Sequence, residues 1–311
     1  VIRVDQVAAQ SIVACIVNGS ARSNAAAQLT ERVMELFREH GAKAETIVVG
    51  NGRELTPIAR RYAEEGHRTI VAAGGDGTVN AVASALVGTH ARLGVIPLGT
   101  LNHFAKDAGI PLDLDAAVET IINGETRLVD VGELNGRIFI NNSSIGLYPA
   151  IVQERCEHQR RGLSKWIAFA RAVYTVMRRA PSFHASLRAD GKYDGTDKTP
   201  FIFVGNNTYE TTGLAIGERR QLDGGKLWVC SAPGAGRAAL IKVAIRALLG
   251  RASPGELKVL EAEELWVQPR KNRSVKVAND GEVFSISPPL HYRIRPQALH
   301  VVVPAGIKRD A

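Results

Sequence analysis

The chain has 311 residues, 45% apolar and 23% charged, with a formal net charge of +8 and a pI of about 9.6. That length supports two domains with a sizeable core, and the charge points to an acidic partner: nucleic acid, an anionic membrane surface or a phosphorylated ligand. Aromatics at 5% leave no basic-aromatic RNA-binding signature, so no nucleic-acid partner is expected; HExxH pairs and zinc-type Cys/His spacings are missing, and Cys15, Cys156 and Cys230 read as reduced thiols.

SIVACIV (11–17) predicts a buried strand. Leu29, Val33, Leu36 and Phe37 give residues 25–40 a helical period that Gly41 ends. AETIVV (44–49) predicts a second strand, and TPIARRYAEEG (56–66) a helix capped by Thr56 with Pro57 in its first turn. TIVAA (69–73) and LGVIP (93–97) predict strands on either side of a helix over Val79–Val87. DLDAAVETIING (113–124) predicts a helix with Asp113 as cap and Gly124 past its end. Strand–helix alternation of this kind predicts a parallel sheet with helices on both faces.

Near residue 130 the pattern changes. Asn135-Gly136 separates two short strand runs, a hairpin signal, and Asp190-Gly191, Asp194-Gly195 and Asp280-Gly281 punctuate later ones. FHASLRA, FIFVGN, KLWVCSA, LKVLEAEELWVQ and VKVAND read as strands, which predicts an antiparallel sandwich or barrel interrupted by helices around 162–180 and 236–250. LHVVVP (299–304) either closes this second domain or returns to the first. No apolar run approaches the roughly 18–20 residues that span a bilayer, and VIRVDQVAAQ lacks a signal-peptide core. The expected place is the cytoplasm, with peripheral contact at the inner membrane face.

Residues 71–80, VAAGGDGTVN, pass from strand through a glycine turn into a helix. Glycines let backbone amides approach a ligand with no Cβ in the way, and a helix N-terminus favours anions. Asp76 repels a bare phosphate, so it either caps the helix or holds Mg²⁺ beside the phosphate. NGSARSN (18–24) and PLGTLNHFAKDAGIP (97–111) follow the first and fourth strands. In an open parallel sheet such loops face one crevice, and three small polar loops there predict a nucleotide site.

AAGGDGTVN, PLGTLNHFAKDAGIP and VDVGELNGRIFINNSSIG, in that order and spacing, resemble the diacylglycerol kinase catalytic family, which includes sphingosine and ceramide kinases and bacterial soluble lipid kinases. The resemblance runs from about Ile12 to the end of the chain. GGDGT alone is shared with NAD kinases and phosphofructokinases; its combination with PLGT-N-FA and the D-x-G-x-x-N-x-x-x-F-x-N run from Asp130 to Asn141 is specific. The resemblance implies α/β plus all-β architecture: a NAD-kinase-like three-layer α/β domain over 1–131 and an antiparallel β-sandwich acceptor domain over 132–298, with ATP and a lipid meeting between them. It implies nucleotide contacts at Asn18, Gly19, Ser20, Ala21, Arg22, Gly74, Gly75, Asp76, Gly77, Thr78, Val79, Asn80 and Thr100. Asp76 and Asp130 become acids of the Mg²⁺ network, with Asp223 beside the structural-metal position, and Asp280 and Glu282, in NDGE, the catalytic acidic pair.

The chain departs from the family pattern at Ala81, usually Glu, at His103, often Asp, at Val49-Gly50, where a Thr is usual, and at Gly224, the second Asp of an Asp-Asp-Gly run. VKVAN and EVFSI flank Asp280-Gly281, so a hairpin is expected there; it would mount Asp280 rigidly, and Asn at that position should spare the fold. Residues 155–180 carry seven Arg or Lys residues against Glu157, with Trp166, Phe169, Val173, Tyr174 and Met177 at helical spacing. That pattern reads as a core stripe with a basic solvated face or as an element touching anionic lipid; ALIKVAIRALLGR (239–251) reads the same way. The leading expectation is an ATP- and Mg²⁺-dependent lipid kinase. The alternatives are a soluble small-molecule kinase of the NAD-kinase type and a nucleotide- or lipid-binding sensor without turnover.

Overall fold

In the computed structural model the described residues are 12–19, 23–160, 164–179, 182–210, 218–219, 221–232, 234, 257–270 and 274–306. The expected contacts Ser20, Ala21 and Arg22 and the helix expected around 236–250 lie outside them. Compact units divide between Leu128 and Val129 and again between Ala298 and Leu299, so the first unit takes up the chain once more at its end.

Short apolar runs build the first unit. β1 (Val13–Asn18), β2 (Ala44–Val49), β3 (Thr69–Gly74) and β4 (Arg92–Pro97) lie in the order β2-β1-β3-β4, all parallel. β3 is buried along its whole length, as a central parallel strand covered on both faces must be. Val13, Cys15 and Val17 of β1 pack with Val71 and Ala73 of β3 against α1 (Ser23–Glu39), through Val33, Leu36 and Phe37. Alternate residues Ala14, Ile16, Ile70 and Ala72 are buried on the opposite face, where α2 (Leu55–Glu64) and α3 (Asp76–Leu86) pack. α4 (His103–Asp107) is short; α5 (Leu114–Asn123) adds Val118 and Ile121 to the α1 side. Asp113 caps α5, accepting from the Ala116 N–H at 3.0 Å. Thr56 does not cap α2. A 3₁₀ turn, Gly52–Glu54, precedes that helix under an Asn51 cap, and the Thr56 hydroxyl donates instead to the Ala81 carbonyl of α3 at 2.9 Å.

The second unit follows from period-two patterning. β5 (Glu125–Leu134) turns at Asn135-Gly136, both with positive φ, into β6 (Arg137–Phe139). β7 (Asn142–Gly146) leads into α6 (Leu147–Arg160), a helix the sequence pattern did not reveal, and then α7 (Lys165–Arg179). β8 (Phe183–Ala189) and β9 (Lys192–Thr199) turn at Asp190-Gly191, whereas Asp194-Gly195 makes no turn and lies within β9 at a register irregularity. β10 (Phe201–Asn206) and β11 (Leu227–Ser231) come next. LKVLEAEELWVQ is two strands rather than one: β12 (Lys258–Ala262) and β13 (Glu264–Pro269) join different sheets, with Glu263 at the corner where its N–H donates to Asp190 Oδ1 at 2.9 Å. β14 (Val275–Asn279) and β15 (Glu282–Ile286) form the Asp280-Gly281 hairpin.

One sheet therefore runs β12-β11-β10-β7-β14-β15; in the other, β9, β8 and β13 continue to the first part of β16 (Leu290–Val303). Ile145, Ile202, Val204, Val229 and Val277 from one sheet meet Leu187, Leu265, Val267, Leu290 and Tyr292 from the other in a single core, a sandwich. The last part of β16 belongs to the first unit, where His300 and Val301 pair in parallel with Arg92 and Leu93 of β4. Among the described side chains of α7, Ala168, Ala172 and Val176 are buried, while Ile167 and Tyr174 are 56% and 64% exposed. Of the expected stripe, Tyr174 is exposed and Val173 half-buried; the side chains of Trp166, Phe169 and Met177 lie outside the described ones.

Candidate active site

The strand order places the first unit's switch point between β1 and β3, where loops after neighbouring strands open a crevice at the carboxyl ends. Three loops converge there. The Asn18 amide at the end of β1 donates to Thr78 Oγ1 at 2.9 Å, tying the first loop to the start of α3. Gly75 and Gly99 bring two loops together so closely that a Cβ on Gly99 would stand 2.6 Å from Gly75 Cα and 2.6 Å from Asn102 Oδ1. Asn102 takes positive φ and clasps Gly99 from both sides, accepting from its N–H at 2.9 Å and donating to its carbonyl at 3.0 Å. The sequence pattern included Asn102 but offered no sign of this clasp.

The N-cap of α3 is Gly75, with no side-chain cap bond, so Asp76 is not the cap of its own helix. Asp76 Oδ1 accepts instead from the Phe104 N–H in α4, at 3.4 Å. Thr78 and Val79 give their N–H groups to the Gly75 carbonyl at 2.8 and 3.1 Å, and both side chains are buried. The N–H groups of Asp76 and Gly77 remain as the amides a helix start leaves without intrahelical partners. Asn80 Oδ1 is buried with no partner among the described residues. Gly19 donates to the Val49 carbonyl at 2.9 Å, and Thr100 is exposed. The close glycines and the open helix start fit a nucleotide phosphate, whereas the orphaned Asn80 oxygen, an acceptor, calls for a donor such as a sugar hydroxyl.

No three His, Cys, Asp or Glu side chains gather into a metal cage among the described residues. Mg²⁺ in phosphoryl-transfer sites commonly takes one or two carboxylates and completes its octahedron with water and phosphate. Asp76 fits that requirement, since only its Oδ1 is engaged by a described residue. Asp130 is differently placed. It is buried, its Oδ2 accepts from Gly225 N–H at 2.7 Å, its Oδ1 accepts from Gln297 N–H at 2.8 Å, and its own N–H donates to Leu222 O at 2.7 Å. These bonds make it a brace for the 222–225 loop. Asp223 in that loop is exposed, and a Cβ on Gly224 would lie 3.0 Å from the unpartnered Asn207 Oδ1.

In the second unit Asp280 and Gly281 both have positive φ, at 45° and 84°. The Asp280 carboxylate reaches across the β6–β7 junction. Its Oδ2 accepts from Ile140 N–H at 2.8 Å, and its Oδ1 accepts from Asn141 and Asn142 N–H at 2.9 Å each. Burial pushes its pKa up to about 6, against the opposing pull of these N–H groups and of the Arg219 charge. Arg219 is buried and grips the same segment, donating to the Ile140 and Asn206 carbonyls at 2.6 and 3.1 Å and to Asn141 Oδ1 at 2.7 Å. Nothing in the local sequence around Arg219 signals this role, because Ile140 and Asn141 lie 79 and 78 residues away in the chain. Glu282 is exposed at the start of β15, paired in register with Asn279.

A three-layer α/β unit whose GGDGT turn opens on the switch point, joined in sequence to an antiparallel sandwich, is the architecture of NAD-kinase-like phosphotransferases. The model of the diacylglycerol kinase catalytic domain matches residues 13–134. A protein of Pseudomonas syringae pv. tomato named "Probable lipid kinase YegS-like" is 32% identical over 281 residues, covering 86% of this chain and 87% of that protein. The Bacillus subtilis diacylglycerol kinase is 41% identical over 113 residues, 35% of this chain and 37% of that one. Among solved structures, a Bacillus anthracis diacylglycerol kinase superposes with a TM-score of 0.70 at 17% identity, over 96% of this chain and 98% of that one. An Archaeoglobus fulgidus NAD kinase solved with ATP gives 0.53 at 13% identity, over 96% and 95%, a likeness of fold. The chain belongs to the diacylglycerol kinase catalytic-domain family, and by that membership it is a lipid kinase that uses ATP.

Proposed function

We propose that the protein transfers the γ-phosphoryl group of ATP, with Mg²⁺, to a hydroxyl of a lipid acceptor. The observation that carries this reading is the Asp280 carboxylate. Two N–H groups occupy Oδ1 and one occupies Oδ2, so Oδ2 keeps a lone pair for a further proton. A pKa of about 6 leaves it ionised at pH 7 yet more basic than an ordinary carboxylate, the property a general base needs. Asp280 is then the base for the acceptor hydroxyl, and Glu282 orients that hydroxyl. The Asp76 and Gly77 amides hold phosphate oxygens, and Asp76 is the ligand for Mg²⁺, which neutralises phosphate charge when bound. Positioning and charge neutralisation supply most of the rate enhancement in such transfers.

Acceptor lipid lies in membranes, and we propose that the protein meets it at an anionic surface. The +8 net charge and the exposed Ile167 and Tyr174, with Arg171 between them on α7, support that contact. Incubating the protein with γ-labelled ATP, Mg²⁺ and a fractionated lipid extract tests the activity. Label in a lipid monophosphate is expected; label released only as inorganic phosphate would sink the transfer reading.

A further inference from the structure

Asn279, beside Asp280, is 4% exposed, and neither its amide nitrogen nor its amide oxygen has a hydrogen-bond partner among the described residues. A native fold rarely leaves a whole amide buried and unpaired, because the desolvation it suffers is not returned. An apolar side chain of similar size would serve a merely structural position better. Such a group persists where something other than stability retains it.

The strand geometry shows where the amide sits. Asn279 lies directly opposite Ser143 on β7, so the two side chains share a face of the sheet. Val277, two residues earlier and therefore on that face, belongs to the sandwich core. The Ser143 hydroxyl is fully buried and bonded at 3.1 Å to the hydroxyl of Tyr292, which reaches it from the facing sheet. Asn279, Ser143 and Tyr292 thus set three uncharged polar groups inside the sandwich. The neighbouring Asn142 carries one of the N–H groups that hold Asp280.

The chemistry of this group limits what it can recognise. An amide offers one donor and one acceptor side, which matches a hydroxyl, itself donor and acceptor. A buried ammonium calls for a carboxylate; Asp280 already accepts three N–H groups and feels the buried Arg219 charge, and Glu282, opposite Asn279 in the hairpin, is exposed. We infer that Asn279 is the acceptor-recognition residue, hydrogen-bonding an uncharged hydroxyl of the lipid head. The enzyme thereby takes neutral lipid alcohols and discriminates against cationic amino alcohols. This inference rests on the lipid-kinase reading of the Asp280 site.

The test uses wild type, Asn279→Leu and Asn279→Thr, the last being read if Leu does not fold. Each receives Mg²⁺-ATP and mixed micelles of dioleoylglycerol or of sphingosine, and each is also assayed for retention of a fluorescent diacylglycerol without ATP. Wild type is expected to show kcat/KM at least about tenfold higher for dioleoylglycerol than for sphingosine. Asn279→Leu is expected to raise Tm, raise KM for dioleoylglycerol about tenfold or more, weaken retention, and leave KM for ATP unchanged. Unchanged KM and retention in a more stable Leu variant overturn the inference while the kinase reading stands, as does equal use of sphingosine by wild type. Retention lost in the variant, with no transfer to either lipid by wild type, supports the recognition role and overturns the kinase reading.

Discussion

Asp280 and Asn142 are bonded in both directions: the Asn142 N–H donates to Asp280 Oδ1 at 2.9 Å, and the Asp280 N–H donates to the Asn142 carbonyl at 2.9 Å. The hairpin tip is therefore latched to β7 by main chain and side chain together. A proposed base held this way has its position set by tertiary bonds as well as by its turn.

Asp280→Asn is expected to cost both stability and rate. Asn tolerates the positive φ and its oxygen can serve Asn141 and Asn142, but its NH₂ must then face the Ile140 N–H. A buried donor without an acceptor costs about 1–3 kcal/mol, which corrects the expectation that Asn spares the fold. Loss of a general base lowers kcat by about 10²–10⁴. Thermal unfolding and initial rates measured well below Tm separate the two effects; near-normal kcat would leave Asp280 a latch only.

The pH dependence has a definite sign. Burial raises the folded pKa of Asp280 from 3.8 to about 6, so between those values the native state binds more protons than the unfolded chain. Its contribution is most favourable at low pH and declines as pH rises through that window, by up to about 3 kcal/mol. Activity moves oppositely, rising through about pH 6 as the base ionises. Denaturant titrations of wild type and Asp280→Asn, subtracted, should show the falling limb, and kcat against pH the rising one. A rate independent of pH between 5 and 7 (roughly spanning that pKa) would rule Asp280 out as base.

Asp76→Asn is expected to unfold within a few degrees of wild type, because its one bond among the described residues, the long one to Phe104, survives in the amide oxygen. Its transfer activity should fall at least about a hundredfold, with the Mg²⁺ concentration for half-maximal rate raised. Normal turnover at saturating Mg²⁺-ATP would remove the metal role.

Gly99→Ala places a methyl group 2.6 Å from both Gly75 Cα and Asn102 Oδ1, so the two loops must part and the Asn102 clasp must open. KM for ATP should rise about tenfold or more, with stability reduced by about 1–3 kcal/mol. Unaltered ATP affinity would mean that the close approach serves packing alone.

Ile167→Asp removes an exposed apolar group from α7 and adds a repelling charge. Binding to anionic vesicles should weaken severalfold at low salt and be screened away in wild type by high salt. Equal partition of the two proteins would place the membrane contact elsewhere.

Much of the first unit was legible locally. VAAGGDGT reads as buried strand, glycine turn and helix start because apolar run length, missing Cβ atoms and free amides are properties of neighbouring residues. The Asn135-Gly136, Asp190-Gly191 and Asp280-Gly281 turns were equally readable, since both central positions need positive φ. Asp194-Gly195 carries the same dipeptide signal yet lies within β9, and LKVLEAEELWVQ divides between two sheets, because pairing partners overrule local preference there. The uses of the acids were set at long range. Asp130 is claimed by N–H groups 95 and 167 residues away, and Asp280 by three that are 138 to 140 residues away. Whether a carboxylate caps, braces, binds metal or takes a proton depends on which donors surround it and how far it is removed from water, and those neighbours exist only once the sheets have paired.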